Sequence, residues 1–460
     1  VSLLFSPTTL AIVYGRKMVS VQRMLDFDVL AGRKPSVACI VDPVSSAPQK
    51  TFFGAKEFLL PVVRTLKEAR ERFPQADVLI NFASQRSAGA VVLEGIAREV
   101  RVIATIAEGV PESDTRQWIV EAQRSGTTLI GPATVGAVTA GAFRVGDTGG
   151  STEHLIASKL HRAGCVGYVG KSGGMSNELY RMIAEHSSGI AEGVAIGGDR
   201  NPGSTLLSHI LRYQEEPSIA MIVMTSEIGG REEEDIAKAL KEKRITKPLI
   251  AWVAGTSAEH FPKDVQFGHA GAWAASSAET AQAKNQLLKK AGALVPQRFE
   301  GLPEIIAKTY EALKASGRVQ DPMEPILPEL PSDRRSAHVQ CTISDDRGAE
   351  ATYGSTPISQ FIHDGSLVKT LARLWWKTDL TQEALTYLEM ILVAVADHGP
   401  AVAGAHNAIV AASADKDTVS ALCSGLLTIG PRFGGAVDAA ARAFFDAHAR
   451  GLRPKNLWTQ

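Results

Sequence analysis

The segment VQFGHAGAWA sets His269 between Gly268 and Ala270, with Gly271 just beyond. A histidine on a loop of small residues presents its ring without steric cover, and the glycines let the backbone bend beneath it. Neutral imidazole is a good nucleophile toward phosphoryl groups near neutral pH. His269 is therefore a candidate phosphoryl carrier, set against the plainer reading of a loop histidine that only fills a turn. Two carboxylates bear on that choice. Glu108 in IATIAEGVPE and Glu227 in VMTSEIGG both stand beside glycine where a β-branched run ends. A carboxylate bonded to an imidazole fixes its tautomer and favours its cation, as a phosphohistidine needs. Solvated loop glutamates are the ordinary alternative, but both residues fall at the sheet edge where ligands bind.

Two glycine-rich turns lead into amphipathic helices. KSGGMSNELYRMIAEH carries Gly173 and Gly174 ahead of Leu179, Met182 and Ile183. GGDRNPGSTLLSHIL places Pro202 near an expected helix start, with Leu206, Leu207 and Ile210 behind it. A helix N-terminus offers free backbone N–H groups and a positive dipole end, suited to phosphate or carboxylate. Each turn alone is a weak signal; together with His269 they point to phosphate handling. No GxxxxGK[ST] loop is present, and Gly15 is not followed by GxGxxG spacing, which disfavours a nicotinamide site. The four cysteines, Cys39, Cys165, Cys341 and Cys423, are too scattered for a CxxC metal or redox pair, and no metal site is expected.

The elements that must position these residues alternate in type. LAIVYG predicts a strand ending in a glycine turn, followed by a helix from Met18 to Leu30. SVACIVDP, DVLINFAS, RVIATIAEG and TTLIGPA predict further strands of a doubly wound domain over 1–145. CVGYVG, IAMIVMTSEIGG and KPLIAWVAG predict a second α/β domain over 146–318. Pro322, Pro325, Pro328 and Pro331 recur at every third residue, favouring an extended linker over 319–340. From 341 to 460 the texture becomes Ala- and Leu-rich and helical, without an identifiable closing element. The 49 basic and 49 acidic residues cancel, so no net field points to nucleic acid or an anionic membrane. No apolar run is long enough for a membrane span, no secretory signal is evident, and a reducing cytoplasm fits the cysteine usage.

IAEGVPE, IGPATVG, SGGMSNE, GVAIGGDRNPGST, EIGG and FGHAGA occur in the order and spacing of the succinyl-CoA synthetase α-subunit superfamily, which the chain resembles. Within it, MLDFD, LINFASQRSA and VQFGHAGAWA resemble the ATP-citrate lyase branch. The resemblance implies a Rossmann-like CoA-binding domain and a flavodoxin-like CoA-ligase domain. It implies that His269 is phosphorylated, with Glu108 and Glu227 contacting it in different swing positions. Gly173 and Gly174 would bind phosphate or a substrate carboxylate, and Ser84 would help hold citrate. CoA would lie over Gly15, Lys17 and Ser20 and near Ile106, Ala107 and Pro132. The turn YGRKMVS departs from the glycine-rich turn of succinyl-CoA synthetases, a departure that ATP-citrate lyases share.

In the helical part, ADHGPAVAGAHN and LLTIGPRFGGAVDAA resemble the active-site region of the citrate synthase superfamily. That likeness implies a truncated all-α citrate-synthase-like domain in which His398 and His406 act as general acids toward citryl groups. Phe433 stands where ordinary citrate synthases carry histidine. Later acid–base residues are expected beyond Gln460. The expected activity is ATP- and CoA-dependent conversion of citrate to citryl-CoA, with cleavage to acetyl-CoA and oxaloacetate once the lyase domain is complete. ATP and Mg²⁺ would come mainly from an ATP-grasp β-type subunit or fused half, and homo-oligomers would form through the helical domain. The alternatives are a succinyl-CoA synthetase-like ligase α-subunit and a non-catalytic CoA-binding subunit.

Overall fold

The computed structural model describes residues 3–260, 269, 271–274, 276–330, 341–346, 348–430 and 436–451. The chain divides into two compact units, Val1–Arg334 and Arg335–Gln460. The first unit is built on two six-stranded sheets.

The first sheet runs, edge to edge, Val62–Val63, Val37–Val41, Ala11–Tyr14, Val78–Asn81, Val102–Thr105 and Thr128–Ile130, all parallel. In chain order this is 3-2-1-4-5-6, the arrangement of doubly wound nucleotide-binding sheets. Parallel strands covered by helices on both faces need apolar residues throughout. Val78–Asn81 and Val102–Thr105 are accordingly buried at every position. Helix Met18–Leu30 has the bounds expected from sequence and turns Val21, Met24, Leu25 and Phe27 inward, an i, i+3, i+4 stripe. An antiparallel hairpin, Gln49–Phe53 with Lys56–Leu60, was not anticipated.

The second sheet runs Phe143–Arg144, Ala137–Thr139, Ile190–Ala195, Val166–Gly170, Met221–Glu227 and Leu249–Ala254. Its last four strands are parallel in the order 2-1-3-4, and a parallel bridge from Ile250 to Leu294 extends them, as in flavodoxin-like sheets. The two edge strands are antiparallel. Ala137–Thr139 and Phe143–Arg144 belong to the second sheet, the first pairing with Ile190–Ala195 and the second with the first. The sheets are stitched by buried polar groups. Arg33 donates to the carbonyls of Thr9 and Ala142, and the Leu4 N–H donates to Glu192.

Helix Leu206–Glu215 begins just after Thr205, whose Oγ1 accepts from the Ser208 N–H at 3.0 Å in a capping box, with Pro202 in the turn that leads into it. Residues 321–330 contain no regular secondary structure, and Glu324 forms an ion pair with Arg162. Pro331 lies outside the described residues.

The second unit opens with a small antiparallel ribbon, Ser344–Asp345, Thr352–Tyr353 and Thr356–Pro357, which the helical reading of this region did not include. Six helices follow among the described residues: Ile358–Asp364, Leu367–Trp376, Gln382–Ala394, Ala403–Ser413, Thr418–Leu426 and Ala436–Ala449. Ala403–Ser413 packs on Thr418–Leu426 through Gly404 and Gly425, where a side chain on Gly425 would press on the Gly404 carbonyl. No helix among the described residues is long and apolar enough to cross a membrane.

Candidate active site

In each sheet the strand order reverses once, and ligands of such folds bind at the carboxyl ends beside that reversal. In the second sheet the reversal lies between Val166–Gly170 and Met221–Glu227. Lys171 and Ser172 follow the first of these strands, and Glu227 ends the second. His269 meets Glu227 there: its Nδ1–H donates to Glu227 Oε2 at 2.7 Å. The histidine side chain is 35% exposed and the glutamate 15%, so the pair is reachable but shielded. The Glu227 hydrogen bond holds the ring's pKa above the ordinary histidine value, with burial opposing, Glu108 adding to the rise and Lys171 countering it.

That bond occupies Nδ1 and leaves Nε2 with the free lone pair, the arrangement of a nucleophile whose orienting partner is a carboxylate. Asp199 shares the field. Burial and the neighbouring Glu108 and Glu112 raise its pKa, while His269 lowers it. Glu108 itself is exposed in the turn after Val102–Thr105, and it acts on His269 through charge.

Helix Gly173–His186 points its N-terminus into the same crevice. Ser172 caps it by accepting from the Met175 N–H at 3.4 Å, so Gly173 and Gly174 form its first turn with unclaimed N–H groups. Gly173 packs so closely on Val135 that a Cβ would collide with it.

A relay of main-chain hydrogen bonds ties the two sheets together at the site. The Ala133 N–H donates to Ala107 O at 2.8 Å, Gly198 N–H to Ala133 O at 3.2 Å, and Gly271 N–H to Gly198 O at 3.2 Å. It runs from the Glu108 turn to the residue beyond His269. Gly198 lies flat against the imidazole, where any Cβ would overlap the ring. Gly268 and most of the preceding loop, residues 261–268, lie outside the described residues.

The first sheet reverses between Ala11–Tyr14 and Val78–Asn81; of the expected CoA residues, Gly15 and Lys17 follow the first of these strands, while Ile106 and Ala107 follow Val102–Thr105 and Pro132 follows Thr128–Ile130. Gly15 takes φ 97°, a left-handed conformation that suits glycine, with its N–H donating to Val41 O at 2.9 Å. Lys17 is exposed, and Ser84 is exposed on the adjoining turn with Ser84 Oγ 3.0 Å from Ser87 Oγ. Ile106 and Ala107 are half-buried and Pro132 is buried. Ser20 is buried, and its hydroxyl donates to Asp147 at 2.6 Å. Sequence reasoning passed over Arg16, which holds Asp42 at 2.5 Å and Gln49 at 3.0 Å and so secures the turn from behind. Its place in YGRKMVS, directly after the strand-ending glycine, was the available signal.

His398 and His406 belong to the second unit. Both are exposed; His406 sits in the first turn of Ala403–Ser413, its N–H donating to Val402 O at 2.9 Å. Phe433 lies outside the described residues. Among the described residues, no group of three or more His, Cys, Asp or Glu side chains could hold a metal ion.

Residues 169–294, which contain His269, Glu227 and the Gly173–Gly174 turn, match the family model described as CoA-ligase. Over 98% of its length the chain is 50% identical to ATP-citrate synthase beta chain protein 1 of Oryza sativa, covering 76% of that protein. It is 48% identical to the ATP-citrate synthase of Homo sapiens, of which it covers 42%. Among solved structures it is similar to ATP citrate lyase from Methanothrix soehngenii, determined in complex with citrate and coenzyme A, at TM-score 0.71 and 48% identity over 99% of this chain and 76% of that one. The chain belongs to the ATP-citrate synthase family, also called the ATP-citrate lyases.

Proposed function

We propose that the first unit makes citryl-CoA from citrate, CoA and ATP through a phosphoryl group carried on His269. The observation that carries this reading is the 2.7 Å bond from His269 Nδ1 to Glu227, set beside the open first turn of Gly173–His186. Nε2 attacks the γ-phosphorus of ATP; the P–O bond breaks, ADP leaves, and the ring proton on Nδ1 stays with its Glu227 hydrogen bond. A citrate carboxylate oxygen then takes the phosphoryl group, breaking N–P and returning the imidazole lone pair. The CoA thiolate attacks the citryl-phosphate carbonyl, and phosphate leaves. Splitting one difficult condensation into covalent steps is what a histidine carrier achieves.

Gly173 and Gly174 hold the phosphoryl group or the substrate carboxylate, and Ser84 contributes to citrate. Gly15, Lys17, Ile106, Ala107 and Pro132 line the CoA position, with Ser20 supporting the turn from inside. Glu108 takes over from Glu227 when His269 swings. ATP arrives with Mg²⁺ on an ATP-grasp β-type partner or fused half, and the reaction runs in the cytoplasm. The helical unit supports homo-oligomers, and its His398 and His406 serve the cleavage of citryl-CoA to acetyl-CoA and oxaloacetate. Relatives of the same family have been solved with citrate and coenzyme A and with (3S)-citryl-CoA, which supports this choice of substrates. The test is labelling with [γ-³²P]ATP in the presence of the ATP-binding partner. Wild type takes up acid-labile phosphate that citrate with CoA discharges, and His269→Asn takes up none. Wild-type labelling of the variant would end the proposal.

A further inference from the structure

Strand Met221–Glu227 ends where its ladder ends, so the carbonyls that follow need other donors. They find one in Lys284, in the first turn of helix Ala281–Ala291. Its side chain is only 2% exposed. Nζ donates to Glu227 O at 3.0 Å and to Gly229 O at 2.5 Å, and it lies 2.8 Å from Glu233 Oε2. Two of the ammonium's three N–H donors thus go to main-chain carbonyls, and Glu233 balances its charge as a buried ion pair.

The next residue repeats the pattern on the neighbouring strand. Asn285 Oδ1 accepts from the Val253 N–H, and its Nδ2 donates to Val253 O, both at 3.0 Å. One helical turn therefore fastens the carboxyl ends of both Met221–Glu227 and Leu249–Ala254. The clamped turn is also wedged from the far side. The Gly229 N–H donates to Glu279 O at 3.0 Å, and a Cβ on Gly229 would collide with Gly271 O, just past His269.

We infer that Lys284 is a positioning residue for His269: its ammonium clamps the turn that carries Glu227 and thereby fixes the carboxylate that orients the imidazole. The inference rests on the proposed phosphoryl-carrier role for its catalytic meaning, though not for its geometry. A buried lysine is costly, and burial lowers its pKa while Glu233 raises it. Leucine would fill this space without that cost, but would leave the Glu227 and Gly229 carbonyls without their donor. A displacement of about 1 Å is enough to break a short orienting hydrogen bond and cost catalysis about 10²-fold.

The test uses the full chain with ¹⁵N-labelled histidine, the His269 signals being assigned by their loss in His269→Asn. Two variants are titrated: Lys284→Met, and Lys284→Met combined with Glu233→Leu, which removes the carboxylate that the single change would strand. The charges facing His269, namely Glu227, Glu108, Asp199 and Lys171, are intact in both. We expect the His269 titration to move down toward the free-histidine value in both variants, and acid-labile labelling to slow by about 10-fold or more. Lys284→Gln, whose carboxamide can still donate to the two carbonyls, should recover part of both effects. A double variant that melts like wild type and keeps the wild-type His269 titration would overturn the inference. Failure of both methionine variants to fold would overturn it too, since the lysine would then support the whole unit and not the turn. Wild-type protein that never labels, yet shows the titration shift on losing Lys284, would refute the carrier role and leave the clamp standing.

Discussion

The two sheet crevices of the first unit each open at a reversal of strand order and differ in what fills them. Beside the first reversal stand a left-handed glycine, an exposed lysine and exposed serines, with the fixed charges Arg16 and Asp42 turned to structural use. Beside the second, Lys171, Asp199, Glu227, Glu232, Glu233, His269 and Lys284 crowd together, and burial lifts the Glu232 carboxyl to about 7. A crevice that receives a ready-made ligand needs shape and a few donors. One that moves a charged group must hold opposing charges in place before the group arrives, and that needs buried partners. On the function proposed above, a reversal of strand order serves a recognition site once and a chemical site once.

The comparison breaks most visibly if Glu227 can be replaced without consequence. Glu227→Gln should cut the rate of His269 labelling by about 10³-fold, the scale of losing a tautomer-fixing partner. Because the neutral ring is the nucleophile and Glu227 raises its pKa, the remaining rate should reach half its plateau at a lower pH than in wild type. A midpoint that stays or rises would show that another group sets the ring's protonation.

Gly198→Ala comes next. Its new methyl would overlap the imidazole, so the ring must move, and labelling should fall by about 10²-fold with CoA affinity unchanged. Stopped-flow labelling alongside calorimetric CoA titration separates the two. The mirror image is Gly15→Ala, which forces a side chain into a left-handed turn. It should weaken CoA binding by about 10-fold and leave labelling intact. Loss of labelling in that variant would mean that the two crevices are not separable.

The smallest effect concerns stability. Asp28 is buried, accepts from the Ser36 N–H at 2.7 Å, and has its pKa pushed up to about 7 by burial, with Arg33 opposing. A carboxyl whose folded pKa is raised contributes stability in full below its unfolded pKa and loses it as pH rises through the folded value. That places the loss between about pH 4 and 7, at a slope of at most about 1.4 kcal/mol per pH unit. Asp28→Asn should flatten this part of the profile in urea melts. An unchanged slope would show Asp28 ionised throughout.

The eight β-branched runs named from the sequence and the helix Met18–Leu30 were legible because two-sided burial writes itself as β-branched runs and helical burial as a 3.6-residue stripe, whereas the short edge strands and Ile190–Ala195 carry no such run. His269, Glu227 and the Gly173–Gly174 turn were legible because each lies in a short motif beside glycine. Other features were hidden in physical terms. Lys284 lies in AQAKNQLLKK, which resembles a solvated helix face, and only its spacing between Ala281 and Leu288 marks the buried side. The bond from Ser20 to Asp147 could not be read from the sequence because the two are remote along the chain. Pro202 marked the neighbourhood of the helix start, and the Thr205–Ser208 capping pair marks the start itself. Strand Ile190–Ala195 contains a glutamate, Glu192, that no periodicity marks as buried; Arg212 and Thr139 satisfy it from other elements.

The relay from Ala107 through Ala133 and Gly198 to Gly271 is made of backbone atoms alone. Point substitutions cannot remove its donors or acceptors, save by proline, so the spacing of the Glu108 and His269 turns is indifferent to most changes of side chain. Chain length is another matter. Inserting or deleting one residue in any of the four segments that the relay joins would shift an N–H away from its carbonyl. Substitutions that leave the glycines of these turns in place should therefore spare their spacing, while a change in the number of residues should disturb it.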